Sequence, residues 1–221
     1  MSKKYKCVIF DWDGTLMNSE ARIVDSIQAC AKAVGYPVLS YDESKEIIGL
    51  SIDKAVEFLY PQVDKGTMAR MAVAYTKHFL EDSSVHMQPY PDVVELLAAI
   101  KATGAKIAIA TGKSRKGLDQ VLSEVKFADY FDMTRTPVES ESKPSPLMLK
   151  QILEKFELSA DEAIMVGDTS FDMEMAQNIN MDKAALSHGV HELARLQKYN
   201  PVVCCDNLTE LKNWLNNHLE A

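Results

Sequence analysis

Four short runs, Cys7–Phe10, Ile107–Ala110, Ala163–Val166 and Val202–Cys205, are continuously apolar rather than alternating. A strand with one solvated face alternates; an unbroken run marks a strand covered on both faces, as in a parallel sheet. Between the second and third runs, Leu118, Val121, Leu122 and Val125 fall on one helical stripe, as do Leu149, Ile152, Leu153 and Phe156. Strands alternating with helices predict βαβ units, hence an α/β fold with a doubly wound, mostly parallel sheet whose ligands bind at the strands' carboxyl ends.

Nearly a hundred residues separate the first two runs, far more than one crossover helix needs. Residues 17–85 carry helical spacing instead of strand-like runs: Ile23, Ile27, Ala31 and Val34; Ile52, Val56 and Leu59; Met68, Met71, Tyr75 and Phe79. Gly35-Tyr36-Pro37 and Tyr60-Pro61 punctuate them, and Met87-Gln88-Pro89-Tyr90-Pro91 reads as the returning linker. We expect a core of residues 1–16 and 86–221 with an α-helical subdomain, 17–85, inserted into it. The length of 221 residues agrees, being about one and a half domains at roughly 150 residues each.

No apolar run approaches the ~20 residues that span a bilayer. Lys plus Arg number 24 against 32 Asp plus Glu, a net charge of −8 that repels nucleic acid and anionic membranes, so neither is an expected partner. An anionic substrate must therefore be attracted locally. Cys7, Cys30, Cys204 and Cys205 have no ligand-like spacing and read as buried thiols of a reducing compartment. The basic opening MSKKYK precedes too short an apolar stretch for a signal peptide, which makes the cytoplasm the expected location.

The chemistry stands at the ends of the runs. Asp11-Trp12-Asp13-Gly14-Thr15 follows the first, with two carboxylates projecting to one side of an extended chain and Trp12 to the other. Alone, such a sequence is as readily a turn. Gly167-Asp168-Thr169-Ser170-Phe171-Asp172 follows the third, where Asp168 alone could cap a helix. If the ends converge, Asp11, Asp13, Asp168 and Asp172 share one pocket. Two carboxylates about 5 Å apart repel by roughly 3 kcal/mol at an effective dielectric near 20. A divalent cation relieves this, and hard oxygen donors without His or Cys suit Mg²⁺.

Ala110-Thr111-Gly112-Lys113-Ser114 ends the second run. It fails as a P-loop, because that motif needs glycine where Ile107 stands. A hydroxyl and a glycine before a helix N-terminus still favour an anion. Lys113, Arg115 and Lys116 form either a solvated patch or an attractor for anionic substrate. Lys143, in Ser142-Lys143-Pro144-Ser145-Pro146, precedes the helix of Leu147–Phe156.

Together these residues resemble the haloacid dehalogenase (HAD) superfamily of phosphohydrolases, in its phosphoglycolate phosphatase-like branch with a helical cap. The four signatures appear in order: Phe10-Asp11-Trp12-Asp13-Gly14-Thr15-Leu16; Ala110-Thr111-Gly112; Lys143-Pro144 with Pro146; and Gly167-Asp168-Thr169 with Asp172. The resemblance implies a Rossmann-like core, an aspartyl-phosphate mechanism, Asp11 as nucleophile and Asp13 as acid and base. It implies Mg²⁺ held by Asp11, the Asp13 carbonyl and Asp168, with Asp172 as a further or outer carboxylate, and phosphoryl oxygens bound by Thr111, Gly112 and Lys143. Ile48-Gly49-Leu50-Ser51 resembles the family's specificity loop. Trp12, Asn18 and Asp92 depart from its commoner residues, and Trp12 is expected to pack away from the phosphate.

The expected partner is a small phosphorylated metabolite, with 2-phosphoglycolate, sugar phosphates and nucleotides all open. Gly49, Lys113 and Arg22 are candidates for choosing among them, and Lys45, Lys54, Arg70 and Lys77 are weaker ones. A phosphosugar mutase on the same scaffold is the rival enzyme. A phosphorylated signalling module is remote, because it needs no large insertion. A monomer or weak homodimer is expected.

Overall fold

The computed structural model describes residues 4–219, so the first three residues of the basic opening lie outside it. Six strands form one parallel sheet: β1 (Cys7–Phe10), β4 (Lys106–Ala110), β5 (Met133–Arg135), β6 (Ala163–Gly167), β7 (Asp182–Leu186) and β8 (Val203–Cys205). Their order is β5-β4-β1-β6-β7-β8, every pairing parallel. The chain works outward from β1 to one edge, then returns to its other side. That reversal opens a crevice at the carboxyl end of β1.

The continuous apolar runs are explained by the layers. In β1, Val8 and Phe10 enter one core cluster while Cys7 and Ile9 enter another, and β4 and β6 divide in the same way. Period-two side chains on a sheet covered on both faces leave no polar position. One face is covered by α5 (Val93–Thr103), α6 (Arg115–Val125) and α10 (Leu208–Leu215), the other by α7 (Leu147–Phe156) and α8 (Ser170–Gln177). The short α9 (Leu193–Leu196) packs beside α8, where Leu196 and Met173 meet Ala185 of β7.

Between β1 and β4 the chain builds α1 (Glu20–Ala33), α2 (Tyr41–Lys45), α3 (Ile52–Leu59) and α4 (Lys65–Lys77), the last running into a wider helical turn at His78–Asp82. Ser40, Ser51 and Asp64 accept from backbone N–H groups at the starts of α2, α3 and α4, supplying partners those ends otherwise lack. One apolar cluster, around Cys30, Val56, Tyr60 and Met71, lies wholly within this insertion. A second, around Ile23, Ile27, Ile48 and Phe79, also takes in Val190 of the core.

The expectation that residues 17–85 lack a strand is corrected at one end. β2 (Met17–Asn18) pairs antiparallel with β3 (Gln88–Pro89), so the chain leaves and re-enters the core through a two-stranded ribbon. Two residues are too short for a period to register. Cys7, Cys30 and Cys205 are buried, but Cys204 is exposed, because alternation on the edge strand β8 turns it outward. Among the described residues no helix is long and apolar enough to cross a membrane.

Candidate active site

Asp11 extends the ladder beyond β1, its N–H donating to the Val166 carbonyl at 2.9 Å. The chain then turns, with Leu16 and Met17 both donating to the Trp12 carbonyl at 3.0 Å. Trp12 is wholly buried in the core, edge-on to Phe131 at 6.3 Å, and so leaves the crevice as expected. The turn gives the two carboxylates different partners. Asp11 Oδ1 lies 2.7 Å from Lys143 Nζ, whereas Asp13 accepts from Ser19 Oγ at 2.6 Å and pairs with Lys113 Nζ at 3.1 Å.

Asp11, Asp168 and Asp172 come together, each offering an oxygen within 4.8 Å of the others, all buried. The Asp13 side chain does not join them, which leaves its main chain as the donor it could offer. Thr169, rather than Asp168, caps α8, in a reciprocal box with Asp172. Asp172 therefore does two jobs: Oδ2 accepts from the Thr169 hydroxyl at 2.7 Å, and Oδ1 sits 2.6 Å from Lys143 Nζ. Asp168 accepts from Thr15 Oγ1 at 2.6 Å and from the Val190 N–H at 2.9 Å. A Cβ on Gly14 or Gly189 would fall 2.2 Å from Asp168 Oδ2, so backbone closes around this carboxylate.

Three buried acids against one buried ammonium leave a charge deficit. Burial, reinforced by Asp172 and Asp168 and opposed by Lys143, pushes the Asp11 carboxyl well above its usual range. Burial and then Asp172 raise Asp168 to about 7. Burial opposes the Lys143 charge, but Asp11 and Asp172 outweigh it and hold the ammonium above the ordinary lysine value. Asp11 Oδ2 has neither a hydrogen bond nor an ion pair among the described residues. Buried carboxyls whose charge is under-compensated, with an unengaged oxygen and no nitrogen or sulfur donor, fit a hard divalent cation.

Thr111 and Gly112 lie at the end of β4, before the Ser114-capped start of α6, as the anion-site reading requires. The insertion presses on them. A Cβ on Gly112 would meet the Gly49 carbonyl at 2.4 Å and the Leu50 carbonyl at 2.6 Å, and Gly49 itself has φ +101°. The Ser51 N–H donates to Ser142 Oγ at 2.9 Å, and Arg195 pairs with Glu46 at 2.7 Å. Gly49 thus sits at the junction of the insertion and the core.

Arg22 does not reach it. Its guanidinium donates twice to the Phe79 carbonyl, at 2.9 and 2.5 Å, and lies over the Phe79 ring at 5.2 Å, pinned inside the insertion. Arg115 is likewise consumed by Glu139 and Asp119, so the basic patch is largely neutralised. Lys113 does face the crevice, bridging Asp13 and the Phe79 ring, 4.1 Å from its centroid.

Sequence reading missed Ser19, Val190 and His191. His191 accepts from the Ser170 N–H at 2.8 Å through Nδ1, and burial, then Arg195, depress it to about 4, so the ring is neutral at the base of α8. Val190 and His191 meet their partners 22 and 21 positions away, where local pattern holds no signal, and Ser19 meets Asp13 only through the turn after β1.

The parallel sheet, its switch point and the acid–lysine cluster define an α/β protein with a strand-end acidic site. The chain belongs to the haloacid dehalogenase-like hydrolases, whose family model matches residues 8–186. A phosphoglycolate phosphatase of Vibrio parahaemolyticus is 26% identical over 93% of this chain and 94% of its own. The pyrophosphatase PpaX of Bacillus cereus is 28% identical over 95% and 96%. A hydrolase from Pseudomonas syringae shares the fold at TM-score 0.87 and 22% identity, over 98% and 99% of the two chains.

Proposed function

We propose that this protein is a Mg²⁺-dependent phosphomonoester hydrolase that acts on a small phosphorylated metabolite through an aspartyl-phosphate. The observation that carries the reading is Lys143, a buried ammonium 2.7 Å from Asp11 and 2.6 Å from Asp172, set at the carboxyl end of the sheet. Nothing in packing alone calls for a charge there, since burying an ion is costly unless its partners require it. Family membership and relatives named as phosphatases support the same reading.

Asp11, Asp168 and the Asp13 carbonyl would hold Mg²⁺, with Asp172 as a further carboxylate. The bound ion supplies charge neutralisation for the carboxylates and the phosphoryl oxygens. Lys143, the Thr111 hydroxyl and backbone N–H groups at Gly112 bind those oxygens. An Asp11 oxygen attacks phosphorus in line, the bond to the ester oxygen breaks, and Asp13 gives that oxygen a proton. Asp13 then takes a proton from water as it attacks phosphorus, releasing phosphate and restoring Asp11. Ser19 and Lys113 hold the Asp13 side chain in place for both transfers.

The test is phosphate release from a panel of phosphomonoesters with and without EDTA. We expect release that depends on Mg²⁺ and that Asp11→Asn reduces by about 10³-fold or more at unchanged Tm. Turnover retained by that variant would remove the nucleophile and the reading with it. Incubation with glucose 1-phosphate distinguishes the mutase, which would yield glucose 6-phosphate instead of free phosphate.

A further inference from the structure

Beside Asp13 a cavity of about 340 Å³ opens between the insertion and the core. It reaches Gly112 and Lys113 but lies on the leaving-group side, since Asp13, the proposed acid, stands on its wall. Its lining is unlike that of a site for an acid. Ile23, Ile27, Ile48, Ile52, Phe79 and Leu80 form the insertion side, and Pro137 with the 69%-exposed Val138 forms the core side.

Charge is scarce there and of the wrong sign for an anion. Asp13, Asp53 and Lys113 are the charged side chains lining it among the described residues. Lys113 is already engaged by Asp13 and Phe79. Arg22 is held by the Phe79 carbonyl, Lys45 by Asp42, Lys54 by Glu57 and Lys77 by Asp82, and Lys32, Lys65 and Arg70 do not line the cavity. Tyr75, stacked on Phe79 at 5.8 Å, brings a hydroxyl, which burial and Asp13 keep un-ionised, so it is a neutral handle. A carboxylate or a second phosphate in this space would be desolvated without a counter-charge, beside two acids.

We propose that the group esterified to phosphate is uncharged and mainly apolar, larger than a two-carbon acid, and that this site discriminates against 2-phosphoglycolate and pyrophosphate. The inference rests on the phosphatase reading and deepens it. Cavities of a few hundred cubic ångströms lined by apolar side chains with few polar groups take organic ligands by surface burial, with specificity set by those few groups. Here Tyr75 and Thr76 on the insertion, Ser51 beside Ser142, and Ser114 at the start of α6 are the neutral polar positions.

The full chain with Mg²⁺ is assayed on benzyl phosphate, n-butyl phosphate, 2-phosphoglycolate and pyrophosphate. Benzyl and butyl alcohols leave no more readily than glycolate, so a preference for their esters reports recognition rather than intrinsic reactivity. We expect kcat/KM for the better of the two uncharged esters to exceed that for 2-phosphoglycolate and for pyrophosphate by about tenfold or more. Inhibition constants for benzylphosphonate and phosphonoacetate, which cannot be hydrolysed, should fall in the same order. Equal or better use of 2-phosphoglycolate or pyrophosphate overturns the proposal while leaving the phosphatase reading intact. If no ester releases phosphate the phosphatase reading fails, and tighter binding of phosphonoacetate than of benzylphosphonate overturns the cavity assignment independently.

Discussion

At the residue scale, Asp168 shows how environment shifts the titration of an ordinary acid. Its carboxyl is raised from 3.8 to about 7 by burial and by Asp172, against hydrogen bonds from Thr15 and Val190. In the metal-free protein a raised carboxyl stabilises the fold fully below about pH 4, and that contribution is lost as pH rises through about 7. A divalent cation binds the ionised form, so it competes with the proton. The rise in Tm on adding Mg²⁺ should therefore be clearly larger at pH 8 than at pH 5. Equal rises at the two pH values would contradict the assignment of Asp168 as a ligand. Asp13 owes its orientation to two residues far from it in kind, Ser19 on the way into α1 and Lys113 at the end of β4.

At the element scale, helix ends govern how the site is presented. α8 begins with the Thr169–Asp172 box, so the same carboxylate that meets Lys143 also satisfies the helix start. α7, which follows the Lys143 loop, ends less comfortably: Glu157 is exposed at φ +56°, a left-handed position that suits glycine, with its charge at the negative end of the helix dipole. Glu157→Gly should stabilise the protein by about 1 kcal/mol, read as a higher midpoint in urea at unchanged slope. A lower midpoint would mean that glycine's freedom in the unfolded chain outweighs both gains. Asp92 is the parallel case at the start of α5, at φ +64°. There Thr209 Oγ1 donates to the side chain, an attachment glycine would lack.

At the scale of the whole molecule, the decisive contact is backbone against backbone. Gly112 of the core lies so close to the Gly49 and Leu50 carbonyls that one methyl group cannot fit between them. Gly112→Ala should cost about 1–3 kcal/mol in denaturant unfolding, as overpacking does, and should raise KM by prising the insertion from the phosphate loop. An unchanged midpoint and KM would show that the loop yields freely. The ion pair Arg195–Glu46 spans the same junction but is too exposed to hold it alone, at 36% and 40%.

Much of this molecule is legible in its sequence because some signals are local. β1, β4 and β6 announce themselves by unbroken apolar runs, and α6, α7 and α8 by stripes or caps that repeat within a few residues. β5 and β7 do not: Met-Thr-Arg is half-buried at an edge, and Asp182-Lys183-Ala184-Ala185-Leu186 begins with two charges before two small residues. α5 and α10 carry apolar stripes of their own, Val93, Leu96, Leu97, Ile100 and Leu208, Leu211, Leu215. The acids and Lys143 were identifiable as a set because motif order records which strand end each follows, and parallel topology sends those ends to one place. Sequence alone therefore determined the α/β class, the central strands β1, β4 and β6, and the presence of a helical insertion. Tertiary structure alone decided that Arg22 folds back on Phe79, that Lys113 turns to Asp13, and that the cavity beside Asp13 is lined mainly by apolar side chains. The contacts of Arg22 with Phe79, 57 positions on, and of Asp13 with Lys113 are set by the packing of whole elements, and no local spacing encodes them.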